Sequence, residues 1–244
     1  MNNALIGYTG FVGSTIMNQM KFEESYRSTN ISDIDNKTFD TVVCAGAPGY
    51  KWIANQRPKE DADNINSLIS HLKTISCNMF ILISTVDVYK SPIDVNEQTI
   101  IDVNDLHPYG LHRYELEKFV EKQFKNHLIV RLPGLVGDGL KKNVLFDLKN
   151  NHEIDKIDER NIFQYYPMKY IMDDIDAARS SGIKLINFCT APVLTKDIAD
   201  RYFNIKLNNN HSTPIVQYGV KSMYGYTHDR ETMLKSIQDY AQSV

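Results

Sequence analysis

The stretch Ala4–Ser14, ALIGYTGFVGS, is an apolar run that breaks into glycine at positions 7, 10 and 13 and then resumes with helical spacing. Each glycine answers a different need where a strand turns into a helix. Gly7 gives the turn a permissive backbone, Gly10 lets a pyrophosphate approach the main chain, and Gly13 lets the helix pack against the strand. The helix then opens with unpaired N–H groups, which suit an anion. Gly7, Thr9, Gly10, Phe11, Val12 and Gly13 are therefore the candidate dinucleotide contacts. A glycine turn of this kind is informative only as the first strand-to-helix turn of an alternating chain.

The chain does alternate. NNALIGY reads as strand and FVGSTIMNQM as helix, then FDTVVCAGA as strand, EDADNINSLISHLKTI as helix and NMFILIST as strand. PYGLHRYELEKFVEKQF follows as a helix with proline in its first turn, and HLIVRLPGLVG as a strand with its exit loop. YIMDDIDAARSSG, IKLINFCT and TKDIADRYF continue as helix, strand and a helix expected to be capped by Thr195. Such alternation predicts an α/β fold, a Rossmann-type doubly wound parallel sheet with helices on both faces. Residues 138–166 and 204–228 have poor periodicity but keep their aromatic residues, as expected of a small lobe. The expected organisation is a dinucleotide-binding core over 1–137 and a small C-terminal substrate lobe over 138–244, with 170–203 returning a helix, strand and helix to the core.

Composition narrows the function. The 244 residues are 42% hydrophobic, with a net charge of -3 and no basic cluster. Nothing here attracts nucleic acid or an anionic membrane. No apolar run approaches the ~18 residues of a membrane span, and the N-terminus does not read as a signal peptide, so a cytoplasmic protein is expected. Cys44, Cys77 and Cys189 are far apart with no histidine at metal spacing, so no metal site is expected. A small-molecule partner remains.

Near the short second strand, EESYRSTN, sites that favour NAD often carry an acid for the adenosine ribose, whereas an arginine receives a 2′-phosphate. Here Arg27 and Ser28 are present and no acid follows until Asp33. The reading leans to NADP over NAD.

PYGLHRYELEK, residues 108–118, contains two Tyr-x-x-x-base pairs, Tyr109 with Arg113 and Tyr114 with Lys118. At ~100° per residue, Arg113 lies about 40° from Tyr109, on the same face as Leu116 and Val120. Tyr114 and Lys118 fall about 140° and 180° away, on a face shared with charged residues.

Taken together, these motifs resemble the extended short-chain dehydrogenases/reductases, the nucleotide-sugar epimerase and dehydratase group. GYTGFVGS looks like the cofactor loop, and CAGA, contributing Ala45, Gly46 and Ala47, like the small-residue turn beside the adenosine. ISTVDVY resembles the catalytic Ser/Thr strand end, PYGLHRYELEKFV the Tyr-x-x-x-Lys helix, and RLPGLVGDG, with Pro133, the loop lining the nicotinamide. The resemblance implies Tyr109 as acid/base, Thr85 as the hydroxyl that bonds the reacting oxygen, and Arg113 in the lysine position. Arginine is a departure, because it is effectively never deprotonated. Dehydratases of the group have acids after the threonine where this chain has Val86 and Asp87. The implied activity is that of an NAD(P)-dependent oxidoreductase or epimerase on a sugar or nucleotide-sugar, a keto-reductase rather than a dehydratase. A catalytically degenerate NAD(P)-binding sensor or scaffold is the alternative. Gln164, Tyr165, Tyr166 and Arg179 are candidates for the substrate side. Helix pairing common in the family admits a homodimer.

Overall fold

The computed structural model describes residues 2–210 and 214–243. The chain divides into two compact units. The first comprises Met1–Lys90, Thr99–Arg131 and Tyr170–Ile186, and the second Ser91–Gln98, Leu132–Lys169 and Asn187–Val244.

In chain order the first unit begins with β1 (Asn3–Ile6), α1 (Phe11–Gln19), β2 (Glu24–Tyr26) and β3 (Thr38–Cys44). α2 (Lys51–Gln56), α3 (Pro58–Leu72), β4 (Ser76–Thr85) and α4 (Pro108–Gln123) follow. β5 (His127–Leu132) comes next, and the second unit then supplies β6 (Gly134–Val136), α5 (Val144–Lys149), β7 (Ile162–Phe163) and β8 (Tyr165–Pro167). α6 (Ile171–Ser180) and β9 (Leu185–Asn187) return to the six-stranded sheet, whose order is β2-β1-β3-β4-β5-β9. β10 (Val193–Leu194), α7 (Thr195–Ile198) and α8 (Arg230–Gln242) complete the chain.

β1 pairs in parallel with β2 on one side and β3 on the other, with Ile6 opposite both Tyr26 and Cys44. β1 and β5 are buried along their whole length, so each shows a continuous apolar stretch, Ala4–Ile6 and Leu128–Val130, rather than alternation. The order reverses between β1 and β3, so the glycine turn after β1 and the Ala45–Ala47 turn after β3 open at one switch point, where open α/β sheets bind ligands. Between β2 and β3 there is only a short 3₁₀ turn, Ile31–Ile34, and no helix. The sheet therefore lacks the further edge strand of the 3-2-1-4-5-6 order.

In the second unit β6 pairs with β8 in parallel and β7 with β10 antiparallel. Gln164 is a buried tie, donating to the carbonyls of Thr190 and Val220 and accepting from the Val220 N–H. Tyr166 stacks on Phe188 in the core of this unit, with ring centroids 5.3 Å apart. Residues 211–213, part of the expected lobe segment, lie outside the described residues. Thr195 is not a cap: Leu194 holds that position, and Thr195 is buried as the first residue of α7, which continues as a π-helix over Ala199–Phe203. α8 carries no strong sequence signal beyond Asp229, whose carboxylate caps it by accepting from Thr232 N–H.

The glycine turn supplies a direct test. A Cβ on Gly13 would lie 2.1 Å from the Gly7 carbonyl oxygen, a backbone atom that cannot swing aside. Gly13→Ala is expected to cost at least about 2 kcal/mol in urea unfolding, whereas Gly182→Ala, at φ +69° in open space, should lose only about 1 kcal/mol of backbone strain.

Candidate active site

The candidate residues of the first unit gather at the ends of β1, β3 and β4 and at the start of α4. Gly7 sits at φ +87° and its N–H donates to the Tyr26 carbonyl at 2.7 Å. A Cβ there would fall 2.3 Å from the Ala45 carbonyl oxygen, so the turns after β1 and β3 touch only because position 7 is glycine. No side chain caps α1, and a Cβ on Gly10 would meet only the Gly7 oxygen at 3.5 Å. The helix thus begins with open main chain, and Thr9 and Gly10 are exposed beside the half-buried Phe11 and Val12. This cradle fits the phosphates of a dinucleotide. Arg27 and Ser28 are exposed just after Tyr26, where Asn30 turns the chain by accepting from Arg27 N–H. Pro133 belongs to the second unit, buried between β5 and β6.

The tyrosine is placed by its neighbours. α4 starts with Pro108, and its first free N–H groups are taken by Asn55, which accepts from Tyr109 N–H, and by His107 Nδ1, which accepts from Gly110 N–H. Gly110 allows the helix to abut the exit of β4, because a Cβ there would lie 2.1 Å from the Asp87 carbonyl oxygen. That approach places Tyr109 beside the strand end that carries Thr85, whose hydroxyl acts to lower the phenol. Thr85 Oγ1 also accepts from Asp87 N–H at 3.1 Å, and Asp87 Oδ1 accepts from Lys51 Nζ at 2.8 Å.

Arg113 is 2% exposed, with its guanidinium carbon 3.9 Å above the centre of the Tyr109 ring. It forms a two-point pair with Asp61, Nη1 to Oδ2 at 2.5 Å and Nη2 to Oδ1 at 2.8 Å. The same nitrogens donate to the carbonyls of Tyr109 and Pro48. Asp61 Oδ2 also meets His112 Nδ1 at 2.7 Å. A residue in the family's lysine position is expected to touch the nicotinamide ribose, but both Nη atoms of Arg113 are already engaged within the protein. Burial pushes the Asp61 carboxyl up, yet the bonds from Arg113 and His112 outweigh it and hold the group below its ordinary range. For Tyr109 the balance runs the other way. Burial dominates, Arg113 and Thr85 oppose it, Asp87 and Asp61 add to it, and the phenol is pushed up to about 12.

Behind this layer lies a second buried pair. Arg131 makes two bonds to Glu117, which also accepts from the Ser84 hydroxyl, and Arg131 Nη1 donates to Tyr89 Oη. Lys118, by contrast, pairs with Glu121 on the exposed face of α4. Arg179 likewise lies outside any cluster, paired with Asp176 on the surface of α6.

Lys51, Asn55 and Asp61 escape the sequence reading. For Asp61 a signal exists: it occupies the same helical stripe as Ile65, Leu68 and Leu72, where an acid must find a buried partner. Lys51 and Asn55 lie on the short α2, which has no periodicity of its own.

No known family model matches the sequence, and neither does any curated protein. Solved structures match it over nearly its whole length. A UDP-glucose 4-epimerase from Thermotoga maritima, with UDP-glucose, has a TM-score of 0.73 at 14% identity, covering 98% of both chains. A dTDP-4-dehydrorhamnose reductase from Clostridium acetobutylicum gives the same four figures. RMD from Pseudomonas aeruginosa, complexed with NADPH, has a TM-score of 0.74 at 13% identity and 99% coverage of both. The chain has the fold of the extended short-chain dehydrogenases/reductases. Among the described residues, no helix is long and apolar enough to cross a membrane.

Asp61→Ala would leave the Arg113 guanidinium buried and unpaired. An expected loss of about 3–5 kcal/mol in chemical unfolding follows. Because the Asp61 carboxyl is held below its ordinary value, its contribution is present above about pH 4 and lost as pH falls further. The double variant Asp61→Leu/Arg113→Met should recover most of that stability and lose the acid dependence.

Proposed function

We propose that this protein is an NADPH-dependent keto-reductase acting on the carbonyl of a sugar or nucleotide-sugar. The observation that carries the reading is the protonation state of Tyr109. Burial pushes the phenol up to about 12, so it keeps its proton at neutral pH and is poorly prepared to take one from an alcohol. It is well prepared to give one. An epimerase must first oxidise an alcohol and needs the phenolate; a reductase needs the phenol. When bound, a reduced nicotinamide supplies the hydride for the carbonyl carbon.

The chain's own residues divide the remaining work. The turn from Gly7 to Gly13 and the open start of α1 hold the pyrophosphate, with Ala45, Gly46 and Ala47 beside the adenosine and Pro133 lining the nicotinamide. Arg27 and Ser28 receive a 2′-phosphate. Thr85 donates to the carbonyl oxygen, and Tyr109 transfers its proton to that oxygen as the carbon is reduced. Arg113 braces the Tyr109 ring from below; its charge is shared with Asp61, so it lowers the phenol less than a free cation would. Val86 leaves the strand end without the first acid of an elimination. The reductase and the NADPH complex among the structural neighbours, alongside epimerases and NAD complexes, support a nicotinamide cofactor and a sugar-directed class. The small C-terminal lobe, residues 138–244 apart from the returning segment 170–203, is the proposed substrate side. The engagement of Arg113 favours one other reading, a dinucleotide-binding protein without turnover.

Stopped-flow oxidation of NADPH with a panel of nucleotide-linked 4-keto-sugars tests the proposal. Turnover is expected with NADPH over NADH, with Arg27→Ala weakening NADPH at least tenfold and leaving NADH unchanged. Tyr109→Phe should lower kcat by about 10²–10⁴ while nicotinamide fluorescence still reports binding. The kcat profile should stay flat through neutral pH and past the ordinary tyrosine value of about 10, falling only as pH approaches about 12. Tight NADPH binding with no turnover across the panel would favour the binding protein.

A further inference from the structure

His107, two residues before Tyr109, is a titratable group that the proposed reduction does not use. It caps α4, and its Nδ1 accepts from Gly110 N–H at 3.0 Å. A ring nitrogen that accepts a hydrogen bond carries no proton, so the neutral imidazole holds its proton on Nε2. Burial first, and then Lys51, lower the imidazole below its ordinary range against the pull of Asp87, which keeps it neutral near neutral pH. The ring is also fixed in place. Its centroid lies 6.4 Å from that of the Tyr109 ring, with a tilt of 31°. The exit of β4 is equally near: a Cβ on Gly110 would lie 3.0 Å from His107 Cε1 and 2.1 Å from the Asp87 carbonyl oxygen. His107 is half-buried, and among the described residues its Nε2 has no hydrogen-bond partner. His112, by contrast, is buried with its Nδ1 engaged by Asp61.

We propose that His107 is a specificity-determining residue, its Nε2–H donating to the oxygen on the carbon next to the reacting carbonyl. This rests on the keto-reductase reading and narrows its substrate class to the α-hydroxy ketone of a sugar. A carbonyl oxygen has two lone pairs. Thr85 and Tyr109 take both in the proposed reduction. A third donor held beside the Tyr109 ring therefore has no place left on that oxygen and meets its neighbour. A hydroxyl accepts there without adding charge to the site. The cap makes the choice firm, because turning the ring to offer Nδ1 would leave the Gly110 N–H at the helix start without its partner. A substrate that lacks the neighbouring oxygen covers Nε2–H and gives it nothing to bond, which disfavours that substrate.

The experiment compares wild type with His107→Ser in NADPH oxidation, on a dTDP-linked 4-keto-6-deoxyhexose and on its 3-deoxy analogue. Serine is a favourable N-cap, so the start of α4 is kept and the urea midpoint should stay close to that of wild type. Wild type should prefer the 3-hydroxy substrate by at least about fivefold in kcat/KM. His107→Ser should lose that preference, falling at least about fivefold on the 3-hydroxy substrate and staying within about twofold on the analogue. A residue that only caps the helix would lower both substrates together. An equal preference in the two proteins, or none in wild type, overturns the proposal. A readout free of turnover is the nitrogen NMR spectrum of the wild-type imidazole near neutral pH, expected to show Nε2 protonated and Nδ1 bare. A proton on Nδ1 overturns the proposal whatever the kinetics. Wild type inert on every keto-sugar, with Nε2 protonated, overturns the keto-reductase reading and the role of His107 with it. Active wild type and a His107→Ser variant that keeps the preference overturn the role of His107 alone.

Discussion

The two-point ion pair between Asp61 and Arg113 is the constraint on which the site depends. It joins α3 to α4, and through the carbonyls of Pro48 and Tyr109 it also holds the exit of β3 and the first turn of α4. A buried carboxylate and a buried guanidinium are each costly alone, and together they are tolerable only in a geometry that satisfies most of their hydrogen bonds. That demand is met closely, with Arg113 Nε left as a buried nitrogen without a partner. The consequence reaches Tyr109, whose ring rests on the guanidinium face. Position 109 is therefore fixed by stacking and by the pair beneath it rather than by a ligand.

The same pair explains why an arginine in a lysine position need not mean a dead site. A lysine ammonium held near a phenol lowers its pKa and can exchange protons. Arg113 offers its flat face to the ring and spends its hydrogen bonds elsewhere, and burial outweighs its charge, pushing the phenol up to about 12. A raised phenol suits the proton donation proposed above.

Much of the fold was legible because its strands are buried on both faces and its turns need glycine. β1, β4 and β5 stand out as apolar runs, and Gly7 and Gly13 occupy positions that no Cβ can enter. The helical phase of α4 placed Arg113 with Leu116 and Val120, all three buried. What was not legible has a common cause. Thr195 looked like a cap because helix starts are read from local chemistry, yet here the chain enters α7 from β10 and Leu194 takes that place. α2 and α8 are held by contacts distant in sequence and advertise little in their own spacing.

Partners across long separations were the hardest to foresee. Asp61 and Arg113 are 52 residues apart, and Lys51 and Asp87 are 36 apart. No periodicity links such positions, because what joins them is the parallel topology that brings the ends of β3 and β4 side by side. An acid in an apolar stripe nevertheless announces that a partner must exist. Asp61 among Ile65, Leu68 and Leu72, and Glu117 beside Leu116 and Val120, both fall on buried helix faces, and both are met by an arginine. One pair carries the Tyr109 ring on its guanidinium, and the other holds Ser84, the neighbour of Thr85. The phenol is then set by the balance of its burial, to which Asp87 and Asp61 add, against Arg113.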